Sequence, residues 1–176
     1  ATATVRDLAE VRVYSPTAAN REAFATEFDE RLAADVSAVT DSTGAVRDAD
    51  VVITATNASE PVFDGEELAP GTHVTAMGQY HPRKRELDHA TIERSRYVVD
   101  LRDRVQQDAG SMLHAIEAGV VDESHVHAEL GEVVVGNEPG RDGDDQITVF
   151  DSGGTGIETV AGANLCYERA IERDRG

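Results

Sequence analysis

Short apolar runs alternate along this chain with stretches in which apolar residues recur at helical spacing. Val11-Arg12-Val13-Tyr14 reads as a short strand. Residues 17–32 place Ala19, Phe24 and Phe28 to suit a helix, with Thr17 or Asn20 as candidate caps. A weak strand follows at 36–39, and Asp41 or Ser42 can cap a short helix ending before Asp50. Val51-Val52-Ile53 is β-branched and continuous, which predicts a strand buried on both faces. Pro70-Gly71 marks a turn before a strand at 73–77. A helix is expected near 87–95, a strand at 97–100, and helices at 111–118 and 127–135. After a Gly- and Asp-rich loop at 137–146, a last strand covers 147–150 and a long helix 155–173.

Strand, helix, strand in this rhythm predicts an α/β fold, a Rossmann-like doubly wound parallel sheet. Ligands of such sheets sit beyond the carboxyl ends of the strands. Dinucleotide folds open with a strand and a G-x-G-x-x-G turn, whose N–H groups meet a pyrophosphate at a helix N-terminus. The chain contains no such motif. Residues 1–10 read as the tail of the helix that follows that turn, so the first strand and glycine loop are expected to be missing. The alternative is a different α/β fold, complete as it stands.

Five segments, in order, carry a resemblance. The first is Ala49-Asp50-Val51-Val52-Ile53-Thr54-Ala55-Thr56-Asn57 with Pro61-Val62. The second is Pro70-Gly71-Thr72-His73-Val74-Thr75-Ala76-Met77-Gly78, leading to Pro82 and Arg85-Glu86-Leu87-Asp88. Gly110-Ser111-Met112-Leu113-His114-Ala115-Ile116 is the third. The fourth is His127-Ala128-Glu129-Leu130-Gly131-Glu132-Val133 with Gly136, Pro139-Gly140-Arg141 and Asp145. Ile147-Thr148-Val149-Phe150-Asp151-Ser152, a small-residue turn and a closing helix make the fifth. Together they resemble the C-terminal Rossmann portion of the ornithine cyclodeaminase / mu-crystallin family, which includes archaeal-type alanine dehydrogenases and ketimine reductases.

That resemblance implies a partial NAD(P)-binding domain over 1–151. It also implies a C-terminal helix, 152–176, returning towards an absent substrate-binding and dimerisation domain. The implied chemistry is hydride transfer at the nitrogen-bearing carbon of a small amino or imino acid, in a homodimer. Cyclodeaminases and alanine dehydrogenases of the family carry an aspartate two residues after the glycine that matches Gly78. Tyr80 stands there in this chain. A phenol, with an ordinary pKa of about 10, donates a proton but is a poor base at neutral pH. Mu-crystallin-like ketimine reductases also lack the aspartate, so imine reduction survives the change. Ketimine reductase or alanine dehydrogenase-like activity is ranked above ornithine cyclisation, with a non-catalytic fragment as a further alternative.

The candidate residues follow from strand ends. Thr54, Thr56 and Asn57 are placed at the nicotinamide ribose, or else form a plain strand exit. Ala76, Met77 and Gly78 end the next strand, and Gly78 either admits the nicotinamide ring or serves a tight turn. Tyr80 and His81 are the catalytic candidates; His81 could shuttle protons, although an exposed loop histidine more often has no task. Lys84 stands where the family has a lysine contacting the cofactor or its loop; the alternative is a solvated charge. Ser15, Thr17 and Arg21 follow the second strand of the implied fold without an acidic residue, which leans towards NADP over NAD; Thr17 is otherwise only a helix cap. Ser152 and Gly154 lie in a turn that the resemblance places near the nicotinamide carboxamide. His127 and Glu129 lack partners for a metal site, and none is expected.

Composition adds the remaining constraints. The 176 residues carry 34 acidic and 16 basic side chains, a formal charge of −18, and Lys84 is the only lysine. Such a charge repels nucleic acid and anionic membranes. Apolar segments recur between the acids, so a surface suited to molar salt is expected rather than a disordered acidic chain. No apolar run approaches the ~20 residues that span a bilayer, and no secretory leader opens the chain. A single cysteine, Cys166, leaves no intrachain disulfide. A cytoplasmic location is expected.

Overall fold

A computed structural model of the chain describes residues 2–173. Among them lie seven strands: β1 (Glu10–Val13), β2 (Asp35–Ala38), β3 (Val51–Thr54), β4 (His73–Ala76), β5 (Arg96–Val99), β6 (Val126–Glu129) and β7 (Thr148–Asp151). The helices are α1 (Ala18–Asp29), α2 (Ser42–Val46), α3 (His89–Glu93), α4 (Arg102–Asp108), α5 (Gly110–Glu117), α6 (Leu130–Val134) and α7 (Gly156–Glu172). All paired strands are parallel. They form a sheet of order β3-β4-β7-β5-β6 and a separate pair, β1-β2. The doubly wound α/β architecture is as expected. In such sheets the opening strand lies between the positions that β1 and β3 hold here. Those two strands are not paired with each other.

The larger sheet is built on a dry centre. Val74, Leu87, Ile92, Tyr97, Met112 and Val149 are buried in one cluster. Each such apolar side chain contributes about 1.5–3 kcal/mol on leaving water. Local signals set the element ends. Asp41 accepts the Gly44 N–H at 2.7 Å and caps α2. Asp88 accepts the Thr91 N–H at 2.8 Å and caps α3. Thr155 opens α7 with a reciprocal pair: its hydroxyl accepts the Glu158 N–H, and the Glu158 carboxylate accepts the Thr155 N–H.

Four expectations are corrected. β3 alternates instead of being buried on both faces: Val52 and Thr54 point inward, while Val51 and Ile53 are 41% and 53% exposed. The expected helix at 127–135 is a strand followed by a short helix. The β5–β6 register shifts at His127, because Tyr97 pairs with Val126 and Val98 with Ala128. Helix α4 was not foreseen, since Val105 is its one buried residue and it shows no apolar stripe. Residues 2–4 form a 3₁₀ turn, not the tail of an α-helix.

α7 has no buried residue, and Ile157, Val160, Leu165, Tyr167 and Ile171 are exposed along it. Residues 174–176, the end of the expected C-terminal unit, lie outside the described residues. No described helix is long and apolar enough to cross a membrane.

Candidate functional site at the carboxyl ends of the strands

β3, β4, β7 and β5 end side by side, and backbone bonds lock the ends in register. The Met77 N–H donates to the Thr54 carbonyl at 2.9 Å, and the Ser152 N–H to the Ala76 carbonyl at 2.8 Å. Thr54, Thr56, Asn57, Ala76, Met77, Gly78 and Ser152 are thereby brought to one rim. Their side chains divide. Thr56, Asn57 and Met77 are exposed, Ser152 is half-buried, and Ala76 and Gly78 are buried.

Thr54 is also buried, and its hydroxyl donates to Glu86 Oε2 at 2.8 Å. Glu86 is itself inaccessible and accepts the N–H groups of Thr56 (2.5 Å) and Gly78 (2.7 Å). A Cβ placed on Gly78 would collide with the Thr56 carbonyl and the Glu86 carboxylate. The space that glycine leaves at 78 is therefore filled by protein.

Lys84 is not free in solvent. Its ammonium donates to the Asn57 carbonyl, tying the loop after β4 to the loop after β3. His81 is exposed; its Nδ1 accepts the Arg83 N–H at 3.1 Å, which leaves the proton on Nε2. Tyr80 is 55% exposed, and its backbone bridges to Ala109. It stands at the edge of a cleft shared with Asp100, Arg104, Asp108 and Asp151.

Asp100 directly follows β5 and Asp151 ends β7, and both are buried. Burial pushes the Asp151 carboxyl up to about 6, although the Tyr97 hydroxyl donates to it at 2.7 Å. The Tyr97 phenol is raised well above its usual range, by its own burial first and by Asp151 second, so it stays a neutral donor. The Tyr97 oxygen accepts the Gln79 amide at 3.1 Å, and the Ser111 hydroxyl donates to the Gln79 carbonyl. Ser111 in turn accepts the N–H groups of Glu86 and Leu87. Every donor in this buried chain points towards Asp151.

Asp100 is also raised, chiefly by burial. Its Oδ2 accepts the Gly154 N–H at 2.5 Å, and its Oδ1 is buried without a partner. The Gly154 N–H is thus already committed within the protein. Gly154 is needed there for its left-handed backbone, with φ of 74°. Arg104 donates to the Gly154 carbonyl and to Asp108.

The second group of candidates lies at the end of β1, on the other sheet. Arg21 donates to the Ser15 carbonyl at 2.9 Å, and Thr17 precedes the same helix without a side-chain cap bond. Ser15, Thr17 and Arg21 are therefore together. His127 is not near a metal set. Its Nε2 lies 3.0 Å from the Pro139 carbonyl, and among the described residues no group of His, Cys, Asp and Glu is placed to hold a metal ion.

The family model for the ornithine cyclodeaminase/mu-crystallin family matches residues 1–174. The chain belongs to this family. Its relatives include a Δ1-pyrroline-2-carboxylate reductase of Bacillus cereus, 34% identical over 173 residues, covering 98% of this chain and 53% of the relative. Among solved structures, the Δ1-pyrroline-2-carboxylate reductase of Thermococcus litoralis with NADH and L-proline matches with a TM-score of 0.91 and 36% identity. The match covers 97% of this chain and 53% of that one. A dimeric archaeal alanine dehydrogenase with bound NAD matches with a TM-score of 0.87 and 34% identity, over 98% and 53% of the two chains. The chain spans about half the length of these family members.

Sequence reasoning overlooked Asp100 and Asp151, and quoted Glu86, Gln79 and Ser111 without a role or not at all. Aspartate closing the runs Tyr97-Val98-Val99 and Thr148-Val149-Phe150 was the available signal, since strand carboxyl ends are where such folds do chemistry.

Proposed function

We propose that this chain is the dinucleotide-binding portion of an NAD(P)-dependent imine reductase acting on a small cyclic imino acid. The observation that carries the reading is Tyr80 lining the cleft formed by the ends of β5 and β7 and by α4. A phenol at that place donates a proton and is a poor base. An imine carbon is already electrophilic, and its reduction needs positioning and one proton, not a carboxylate base. The likeness to reductases that bind NADH with proline, or act on Δ1-pyrroline-2-carboxylate, supports the same substrate class.

The residues present fit part of such a cofactor. Thr56, Asn57 and Met77 form an exposed rim for the nicotinamide end, and the nicotinamide supplies the hydride when bound. Ser15, Thr17 and Arg21 offer hydroxyls and a guanidinium to a ribose 2′-phosphate, which supports NADP. No pyrophosphate-binding glycine turn occurs among the 176 residues. In the whole protein we place 1–151 as the cofactor domain, with a further strand between β1 and β3. The segment 152–176 carries α7 to a substrate-binding and dimerisation unit. The exposed apolar side chains of α7 favour that role. A cytoplasmic, salt-adapted homodimer that avoids nucleic acid and membranes is the setting that the charge of −18 supports.

The test is NADPH and NADH oxidation by the complete gene product with cyclic imino acids, beside proline formation from ornithine. Imine reduction is expected, and Tyr80→Phe should lower it by no more than about tenfold. Efficient proline formation with Tyr80 in place would replace this reading with ornithine cyclodeamination. Absence of both activities would favour a non-catalytic fragment.

A further inference from the structure

We propose that Glu86 is a positioning residue. Its buried carboxylate sets the spacing between the ends of β3 and β4 and thereby seats the nicotinamide end of the cofactor. The second half of this statement rests on the cofactor reading above.

Glu86 lies in the loop after β4, not on a strand, yet its side chain reaches between two strand ends. Oε1 accepts from the Thr56 N–H, and Oε2 accepts from both the Gly78 N–H and the Thr54 hydroxyl. Thr56 and Gly78 each lie two residues past the end of their strands, where the sheet no longer holds the backbone. Hydrogen bonds from N–H to a carboxylate are short and roughly twice as strong as neutral ones. The backbone of Glu86 is fixed from the other side, because Ser111 accepts its N–H and its carbonyl accepts the Val62 N–H at 2.9 Å. Gly78 leaves room for the carboxylate, since a side chain at 78 would occupy its place. The rim residues Thr56, Asn57 and Met77 sit directly on the two strand ends that Glu86 joins.

The arrangement requires a carboxylate in particular. Three donors face two oxygens. Glutamine supplies one oxygen and one NH₂ group, and either orientation sets that NH₂ against a backbone N–H that cannot turn away. An unmet buried donor of this kind raises local opening by about tenfold or more.

The experiment uses the 176-residue chain and its Glu86→Gln variant in molar potassium chloride. Amide hydrogen exchange is read residue by residue by NMR. Exchange at Thr56 and Gly78 should quicken about tenfold relative to Val74 and Val149 in the same molecule. A uniform change across all four, or none, overturns the proposal, because a merely structural role loosens the sheet as a whole. Thr54→Val keeps the shape and the charge and removes one donor. It serves if Glu86→Gln does not fold, and should shift exchange at Gly78 and Thr56 in the same sense by a smaller factor. A second arm follows shifts with millimolar NADH and, separately, ADP-ribose, which lacks nicotinamide. Glu86→Gln should weaken NADH several-fold and leave ADP-ribose unchanged. Equal weakening of both overturns the seating role. If NADH has no effect on the unmodified chain, the same titration of the complete gene product and its Glu86→Gln variant decides, and no response to NADH there overturns the cofactor reading and the seating role with it. The exchange pattern still decides whether Glu86 latches the strand ends.

Discussion

Replacing Asp151 by asparagine should make the chain more stable at neutral pH and leave it unchanged near pH 4. The Asp151 carboxyl is buried at the end of β7 and titrates at about 6, against an ordinary 3.8, with burial as the first cause. Its folded-state value lies above its unfolded value, so the folded chain holds this proton more tightly. Stability from this group is therefore full below about pH 4 and falls as pH rises through about 6. Each pH decade is worth about 1.4 kcal/mol, so the displacement costs the fold about 3 kcal/mol once Asp151 is ionised. Asparagine removes the titration while its oxygen still accepts the Tyr97 hydroxyl. Urea unfolding followed by circular dichroism, from pH 4 to pH 8 in molar salt, gives both profiles. Subtracting one from the other cancels the acids that do not interact with Asp151, leaving Asp151 and its neighbours Asp100 and Asp108. The difference should grow by up to about 3 kcal/mol across that window in favour of Asp151→Asn. Parallel profiles would refute the assignment of a costly buried carboxyl at the site.

Three further outcomes are expected. Gly78→Val forces a branched side chain onto the Thr56 carbonyl and Glu86, and should lower the urea-derived stability by about 1–3 kcal/mol or more, with no cofactor present. Folding should depend on salt, because 34 acids repel one another without counterions. A melting point unmoved between molar and millimolar potassium chloride would remove the salt-adapted reading. The isolated chain should bind NADPH and NADH more weakly than micromolar, since it contains no pyrophosphate-binding turn; a fluorescence titration in molar salt reads this directly.

Much of the fold could be read from residues in a row. Asp41, Asp88 and Thr155 fall where caps belong, and the run ending in Ala76 is a central strand as its composition demands. The misreadings have physical causes. Val126-His127-Ala128-Glu129 alternates between buried and half-buried, but over only four residues running into a helix, too short a run to separate strand from helix by pattern, and pairing with β5 decides the matter. Val51 and Ile53 look like residues buried on both sides, but nothing described covers that face of β3. At the site, chain position located the strand ends but not the directions of side chains. Lys84 bonds the carbonyl of Asn57 in the neighbouring loop, and the Gly154 N–H bonds Asp100, partners that chain position does not reveal. The chain from Ser111 through Gln79 and Tyr97 to Asp151 joins residues far apart in sequence. No local spacing betrays it.

The unmatched edges of β1 and β3 affect how this chain behaves in a tube. An open parallel strand presents a row of N–H and C=O groups, and Val51 and Ile53 add an apolar face beside it. Two copies can satisfy those groups by adding strands to one another. Mass measured on the chain by itself will report this edge-to-edge adhesion, a different contact from any dimer made by the complete protein. A solubilising charge of −18 works against the adhesion, and salt screens that charge. On the salt-adapted reading, the conditions that favour folding are also those that favour sticking, so the usable window for purification is bounded on both sides.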